Sequence, residues 1–344
     1  MNKKANLFFI LSIVLLSILI IIIVSILISP SQREGKEYIL IVEKGDSLHS
    51  IGEKLEKEGI ISDKNLFVII GKILGTDKKL VPSAYKVNSS MNIFQIHDLI
   101  LNEKIYTIKV RIPEGATIYD IDRIFEEHGL TQKGDILREA TNPELIRKYN
   151  LKLDRLEGFL FPATYDVPFY YKNKPQRIVE MMVNTFFKKI NRDEYTEMAK
   201  RVGLTFEQAV ILASIIEKEA GKPKEEKYLV SSVFHNRLKS RMYLGSCATV
   251  IYGLIDKNMW YNNNLKKWHL SYDTPYNTYI HLGLPKTPIS NPSFESLKAA
   301  VMPANTDYLF FVSKNDGTHI FSKTYKEHEK YVYKYQIDYW KYRR

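Results

Sequence analysis

Hydrophobic and polar positions follow three regimes along this chain. Residues 7–28 carry no charge, and only Ser12, Ser17 and Ser25 interrupt Leu, Ile, Val and Phe. As an α-helix this run would be about 33 Å long, against a hydrocarbon core of about 30 Å. It predicts a transmembrane helix. The run exceeds the apolar region of a signal peptide, and Ile26-Leu-Ile-Ser-Pro30 offers no small-residue cleavage site, so an uncleaved anchor is expected. From Tyr38 the period shortens. Tyr38-Ile-Leu-Ile-Val42 has strand composition, Gly45-Asp-Ser47 reads as a turn and helix N-cap, and Leu48, Ile51 and Leu55 recur at helical spacing until Gly59 stops them. Residues 62–74 and 91–101 read as helices, with a short strand at Ala84-Tyr-Lys-Val87 between them. Residues 131–201 read as mostly helical. The third regime is the near-continuous apolar run Ala209-Val-Ile-Leu-Ala-Ser-Ile-Ile216, which ends on Glu217.

The strand-turn-helix returns further along. Gly45, Ser47, Leu48, Ile51, Leu55, Gly59 and Ile60 correspond to Gly115, Thr117, Ile118, Ile121, Phe125, Gly129 and Leu130. Each pair shares a physical role: turn glycine, hydroxyl cap, apolar helix face, stopping glycine, and the residue that resumes the core. The Gly45-Asp-Ser-Leu wording of the first copy resembles the start of a LysM module, a βααβ fold associated with GlcNAc-containing glycans; scaffolding without glycan affinity is the competing reading. Alternating strands and helices make the class α+β.

Glu217 is the candidate general acid. Burying a carboxyl against hydrocarbon disfavours its ionised form, so its pKa is expected to rise. Thr205 and Gln208 match a capping box that starts its helix, and Ser214, one turn earlier on the same face, is expected to hold the carboxyl by a hydrogen bond. Glu219 lies about 200° around the helix and reads as a solvated charge beside Lys218 and Lys222. A second carboxylate is not supplied locally; Glu157, Asp256 and Asp273 are the distant candidates. The aromatic-rich stretch Glu157-Gly-Phe-Leu-Phe-Pro-Ala-Thr-Tyr165 reads either as a core loop or as the wall of a sugar site. Arg237, on a helix with Asn236, pairs with a carboxylate or holds a substrate oxygen. Loops 273–279 and 283–289 are dense in hydroxyls, amides and prolines, a composition suited to hydrogen-bonding a sugar.

Charge and cysteine count narrow the classes. The net charge is +11, with Lys and Arg spread along the chain. That pattern fits a solvated lysine-rich surface or attraction to anionic lipids or wall polymers, and no nucleic-acid motif accompanies it. Cys247 is the only cysteine, so no internal disulfide forms, and it reads as a small buried hydrophobe. No zinc helix, nucleophile elbow or phosphate-binding glycine loop is present, so no metal and no cofactor is expected.

Together, Ala213-Ser-Ile-Ile-Glu-Lys-Glu219, Ser232-Val-Phe-His-Asn-Arg-Leu238, Thr249-Val-Ile-Tyr-Gly253, Thr274-Pro-Tyr-Asn-Thr-Tyr279, Gly283-Leu-Pro285 and Ser296-Leu-Lys-Ala-Ala300 resemble the endolytic murein transglycosylases of the YceG-like family. The resemblance implies a single-pass membrane enzyme that cuts peptidoglycan strands between MurNAc and GlcNAc and leaves 1,6-anhydroMurNAc ends. Its catalytic glutamate falls on Glu217, acting as general acid and then as base toward the substrate's own C6 hydroxyl. Candidate substrate-binding residues within the motifs are Ser214, Asn236, Arg237 and Thr249. Tyr252, Tyr276, Asn277, Thr278 and Tyr279 complete that set. Two departures stand out: Leu244-Gly-Ser-Cys247 replaces the family's usual Leu-Gln-Ser/Thr-Asp, and Lys286 and Thr287 replace a Pro-Gly pair.

The expected organisation is a cytoplasmic tail (1–6), a transmembrane helix (7–28), a linker (29–37), a LysM-like subdomain (38–104) and a YceG-like catalytic domain (105–344). Lys3 and Lys4 lean the N-terminus toward the cytoplasm. That puts the rest of the chain outside the cell membrane, among peptidoglycan strands and cell-wall synthases as partners. A membrane-tethered, non-catalytic glycan-binding scaffold is the alternative.

Overall fold

The computed structural model describes residues 9–19, 21, 35–260, 264–338 and 341. Residues 9–19 are helical. The rest of the expected transmembrane run, apart from residue 21, lies outside the described residues, as do residues 1–6 and the linker up to 34. Among the described residues no helix is long and apolar enough to cross a membrane. The chain divides into two compact units, Met1–Ile108 with Asp166–Lys172, and Lys109–Tyr165 with Asn173–Arg344. This differs from a single cut after residue 104, because Asp166–Lys172 counts with the first unit.

The first unit runs β1 (Glu37–Val42), α1 (Leu48–Lys57), α2 (Lys64–Leu74), β2 (Ser83–Asn88) and α3 (Ile93–Leu101). β1 and β2 are antiparallel, with Glu37 opposite Asn88 and Val42 opposite Ser83. Ser47 caps α1 through a reciprocal box with Ser50, and Asp63 caps α2, which Gly75 closes at φ 74°. Leu40 and Val42 face inward while Ile41 between them is exposed, the two-residue period of a strand with one covered face. They join Leu48, Ile51, Leu55, Phe67, Tyr85, Val87, Ile96 and Ile100 in one core.

The second copy of the turn-helix unit has the same local geometry as the first. β3 (Thr107–Arg111) precedes it and pairs with β4 (Thr164–Pro168). Gly115 and Gly129 take φ 73° and 66°, where Gly45 and Gly59 take 94° and 71°. Thr117 caps α4 (Ile118–Glu127) by the same box that Ser47 makes on α1. Helices α5 (Asp135–Ala140), α6 (Pro143–Lys148), α7 (Pro175–Lys189), α8 (Arg192–Arg201), α9 (Phe206–Glu219), α10 (Lys224–Lys239), α11 (Cys247–Asp256) and α12 (Phe294–Val301) follow. A hairpin of β5 (Phe310–Ser313) and β6 (His319–Ser322) and helix α13 (Tyr325–Val332) come next. The class is mixed α+β, as expected.

Helix α9 is the centre of this unit. Every residue from Ala209 to Ile216 is buried, and α8, α10, α11 and α12 all pack on it. A helix apolar all round can only be stable when enclosed in this way. The 157–165 stretch is core: Phe159 and Phe161 are buried, and the Phe159 ring lies 5.0 Å from Phe186 and 6.1 Å from Phe206. The sugar-wall reading of these aromatics is therefore corrected, since rings sealed against other rings present no face to a ligand.

Gly158 allows the close approach. It sits at φ 90°, and a Cβ there would lie 2.6 Å from Pro288 and 3.0 Å from Val210. Gly158→Ala is expected to cost about 1–3 kcal/mol from overpacking, with left-handed backbone strain of about 1–2 kcal/mol added. Chemical denaturation of the variant against the parent checks this.

Candidate active site

Thr205 and Gln208 form the expected capping box, and α9 carries Glu217 in its final turn. The C-terminal end of a helix carries partial negative charge and disfavours a carboxylate. The fold offsets this by placing Glu217 at the N-terminus of α12, where Ser293 is the N-cap. Glu217 Oε2 accepts from Ser293 N–H at 2.9 Å, Ser293 Oγ at 2.5 Å and Ser296 Oγ at 2.6 Å. The Lys227 ammonium on α10 lies 3.0 Å from Oε2 and 3.2 Å from Oε1, and it also donates to Ser293 Oγ at 2.8 Å. The Glu217 side chain is 9% exposed.

These donors reverse the expected titration. Burial pushes the Glu217 carboxyl up, but the hydroxyls of Ser293 and Ser296, the charge of Lys227 and the Ser293 N–H together outweigh it, and the pKa is lowered from its ordinary 4.5. The apolar residues beside Glu217 in sequence surround the helix, whereas the carboxyl itself meets polar groups. Ser214 is likewise corrected: its hydroxyl donates to Ile211 O at 2.7 Å and accepts Ile289 N–H at 3.0 Å, so it ties α9 to the segment leading into α12. Glu219, read as a solvated charge, is half-buried and engaged instead. It accepts from Ser246 Oγ and, at 3.5 Å, from Ala248 N–H at the start of α11.

The neighbouring loops are fixed by one side chain. Asn291, fully buried, donates to Ala116 O at 2.9 Å and Glu157 Oε1 at 2.8 Å, and its Oδ1 accepts from Gly158 N–H at 3.0 Å and Leu160 N–H at 2.8 Å. This holds the Gly115–Thr117 turn beside the carboxylate; a Cβ on Gly115 would be 3.4 Å from Glu217 Cγ, and Lys218 donates to Gly115 O at 3.2 Å. Glu157 also accepts from Ile118 N–H at 3.1 Å and Tyr252 OH at 2.8 Å, and complete burial pushes its pKa up to about 8. Asp256 accepts from Tyr119 OH at 2.7 Å and Arg155 at 2.6 Å, and Asp273 pairs with His281 at 2.7 Å. None of these three carboxyls is among the hydrogen-bond or ion-pair partners of Glu217 described here.

Most of the candidate binding residues have their polar atoms engaged within the fold. Asn236 donates to Thr306 O and Tyr308 O, while Arg237 donates to Leu309 O and Leu244 O. Thr249 donates to Ser246 O and meets Thr278 Oγ1, which accepts Ser246 N–H. Asn277 donates to Leu270 O and Tyr272 O, and Tyr276, buried, accepts from Thr287 Oγ1. Tyr279 is only half-buried, with its hydroxyl 3.1 Å from the Cys247 thiol. Cys247 is exposed, which corrects its reading as a buried hydrophobe: as the first residue of α11 it caps no core. Thr287 is buried, and Lys286 reaches Asp154 at 2.7 Å.

Sequence reasoning missed Lys227, Ser293, Ser296 and Asn291 as site residues. Ser293 three positions before Ser296, after a proline, carries a helix-start signal that identifies the cap. Lys227 carries none, being one lysine of many. Among the described residues no group of three or more His, Cys, Asp or Glu is placed to hold a metal ion.

The fold and the site define the class: a model of the YceG-like family matches residues 40–334, and the chain belongs to that family. It is 30% identical over 329 residues to the endolytic murein transglycosylase of Bacillus subtilis (strain 168), covering 90% of this chain and 88% of that one. To the endolytic murein transglycosylase of Streptococcus pneumoniae serotype 2 (strain D39 / NCTC 7466) it is 25% identical, covering 88% of this chain but 59% of the longer relative. The crystal structure of a yceG-like protein from Listeria monocytogenes superposes with a TM-score of 0.56 at 29% identity, over 87% of this chain and 100% of that one.

The clamp on Glu217 makes stability depend on pH in a definite direction. Its folded pKa lies below the ordinary 4.5, so its contribution is full above that value and is lost as pH falls through the folded pKa. Glu217→Ala leaves Lys227 buried without its counter-charge and is expected to cost about 3–5 kcal/mol at neutral pH. The gap between parent and variant narrows as pH falls through the lowered pKa of Glu217, because carboxyl protonation removes the parent's advantage. Denaturant melts across that range measure it.

Proposed function

We propose that this chain is a membrane-anchored endolytic peptidoglycan lytic transglycosylase, with Glu217 as its catalytic residue. The observation that carries this reading is a nearly buried carboxylate, fixed between two helix ends, on a chain of the YceG-like family whose relatives bear that activity in their names. Residues 7–28 would hold the enzyme in the cell membrane with its N-terminus in the cytoplasm, next to emerging glycan strands and the synthases that make them. The β1-α1-α2-β2 order of the first unit supports the LysM-like reading of residues 38–104, and a glycan-binding role for it belongs to the same proposal.

The chemistry needs one carboxyl. Protonated Glu217 gives its proton to the glycosidic oxygen as the bond from MurNAc C1 breaks, and the C6 hydroxyl of the same sugar attacks C1. The carboxylate then takes the C6 hydroxyl proton, closing the 1,6-anhydro ring and restoring the acid. An attacking group already tethered to the reacting sugar removes the entropic cost of placing a water, and among the described residues the hydrogen-bond and ion-pair partners of Glu217 include no second carboxylate, which fits that route. In the free protein the carboxyl is held ionised, so a glycan that excludes water from the site would raise its proton affinity toward the acid form. Within this reading Asn236, Arg237, Thr249, Tyr252, Tyr276, Asn277 and Thr278 shape the loops, as Ser214 shapes α9, and Tyr279, which is only half-buried, remains the candidate for sugar contact.

Digestion of purified sacculi by the full chain, with the ends analysed by mass spectrometry, tests the proposal. Anhydro ends are expected, and Glu217→Gln should slow their release by about 10²–10⁴-fold. Ends carrying added water would make the protein a hydrolase. No cutting by the parent chain, with binding intact, would favour the scaffold.

A further inference from the structure

The two oxygens of Glu217 are not equivalent. Oε2 faces four donors: Ser293 N–H, Ser293 Oγ, Ser296 Oγ and Lys227 Nζ. A carboxylate oxygen has two lone pairs, so this one is saturated. Oε1 meets only Lys227, at 3.2 Å, among the described residues. Lys227 is itself fully committed, because its three N–H groups match Oε1, Oε2 and Ser293 Oγ, and its side chain is 11% exposed.

Other charges near the carboxyl are turned elsewhere. On α9, Lys218 reaches Gly115 O and Glu219 turns to Ser246. On α10, Glu226 is taken by His319 at 2.8 Å, and on α12, Glu295 accepts the Tyr228 hydroxyl. Among the described residues, Lys227 is the cation paired with Glu217.

We propose that Lys227 is a positioning residue that divides Glu217 into an anchored oxygen, Oε2, and a working oxygen, Oε1, through which every proton passes between enzyme and glycan. The proposal rests on the transglycosylase reading. Oε1 carries the proton to the glycosidic oxygen, and the negative charge left behind is met at once by the ammonium already in place. The same oxygen then takes the C6 hydroxyl proton, so turnover consumes no net proton. Ser293 and Ser296 keep Oε2 on the α12 cap throughout, and the carboxyl plane does not rotate between the two steps.

The test is the pH dependence of sacculus cleavage by the full chain. For a general acid, kcat/KM falls as pH rises through the free enzyme's carboxyl pKa. Removing a cation at this distance should move that fall to higher pH by about 1–3 units in Lys227→Met. Lys227→Gln, which keeps donors without the charge, should give the same shift, and Lys227→Arg should leave the fall in place. A lower rate with an unmoved fall in both uncharged variants would reduce Lys227 to a structural ion pair and overturn the proposal. Titration of the Glu217 carboxyl by carbon NMR, assigned with Glu217→Gln, needs no turnover. A midpoint that rises in Lys227→Met supports the proposal, and one that stays put overturns it. If the parent chain cuts no sacculi, the transglycosylase reading fails separately, and the NMR midpoint still decides whether Lys227 governs this carboxyl.

Discussion

The contact between Glu217 Oε2 and the N-terminus of α12 organises this site. It joins the negative end of one helix to the positive end of another, so that a carboxylate badly placed with respect to α9 is well placed with respect to α12. Lys227 adds the third helix, and the Gly115 turn closes a fourth side. Each neighbour is then fixed by its own bonds: Ser214 sets the Ile289–Ser290 segment, and Asn291 sets the turns at Ala116 and at Gly158–Leu160. The site is therefore rigid because segments distant in sequence share hydrogen bonds.

Two buried glutamates show what governs titration here. Burial pushes both carboxyls up, and both accept several hydrogen bonds. Glu157 has neutral donors, Ile118 N–H, Tyr252 OH and the Asn291 amide, and its pKa rises to about 8. Glu217 has an ammonium 3.0 Å away as well as two hydroxyls, and its pKa falls. Desolvation alone would have predicted the same sign for both. A charged partner and short hydroxyl bonds outweigh it at one and not at the other.

What the sequence makes legible is what is decided locally. Ser47, Thr117 and Thr205 announce helix starts because a cap bonds its own neighbours three positions on, and the structure has all three boxes. The strand β4 was not legible, since its residues follow an aromatic-rich stretch whose pattern is that of a core loop. The environment of Glu217 was not legible either: the near-continuous apolar run before it reports how α9 is enclosed, not what its last turn faces. Ser214 shares that limit, because helical spacing puts it on the right face while rotamer and partner decide which atom its hydroxyl meets.

The repeated turn-helix unit carries this distinction to its end. Its two copies agree in turn glycine, hydroxyl cap, helix face and stopping glycine, and nothing in either wording separates a structural copy from one at a site. Their surroundings do. A Cβ at Gly45 would meet nothing within 4 Å, whereas at Gly115 it would meet the side chains of Glu217 and Lys218 at 3.4 Å. Both glycines are favoured by their left-handed backbone, but only the second lies against the side chain of Glu217. The same local solution therefore builds a fold in one unit and bounds a carboxylate in the other, and long-range packing alone assigns the role.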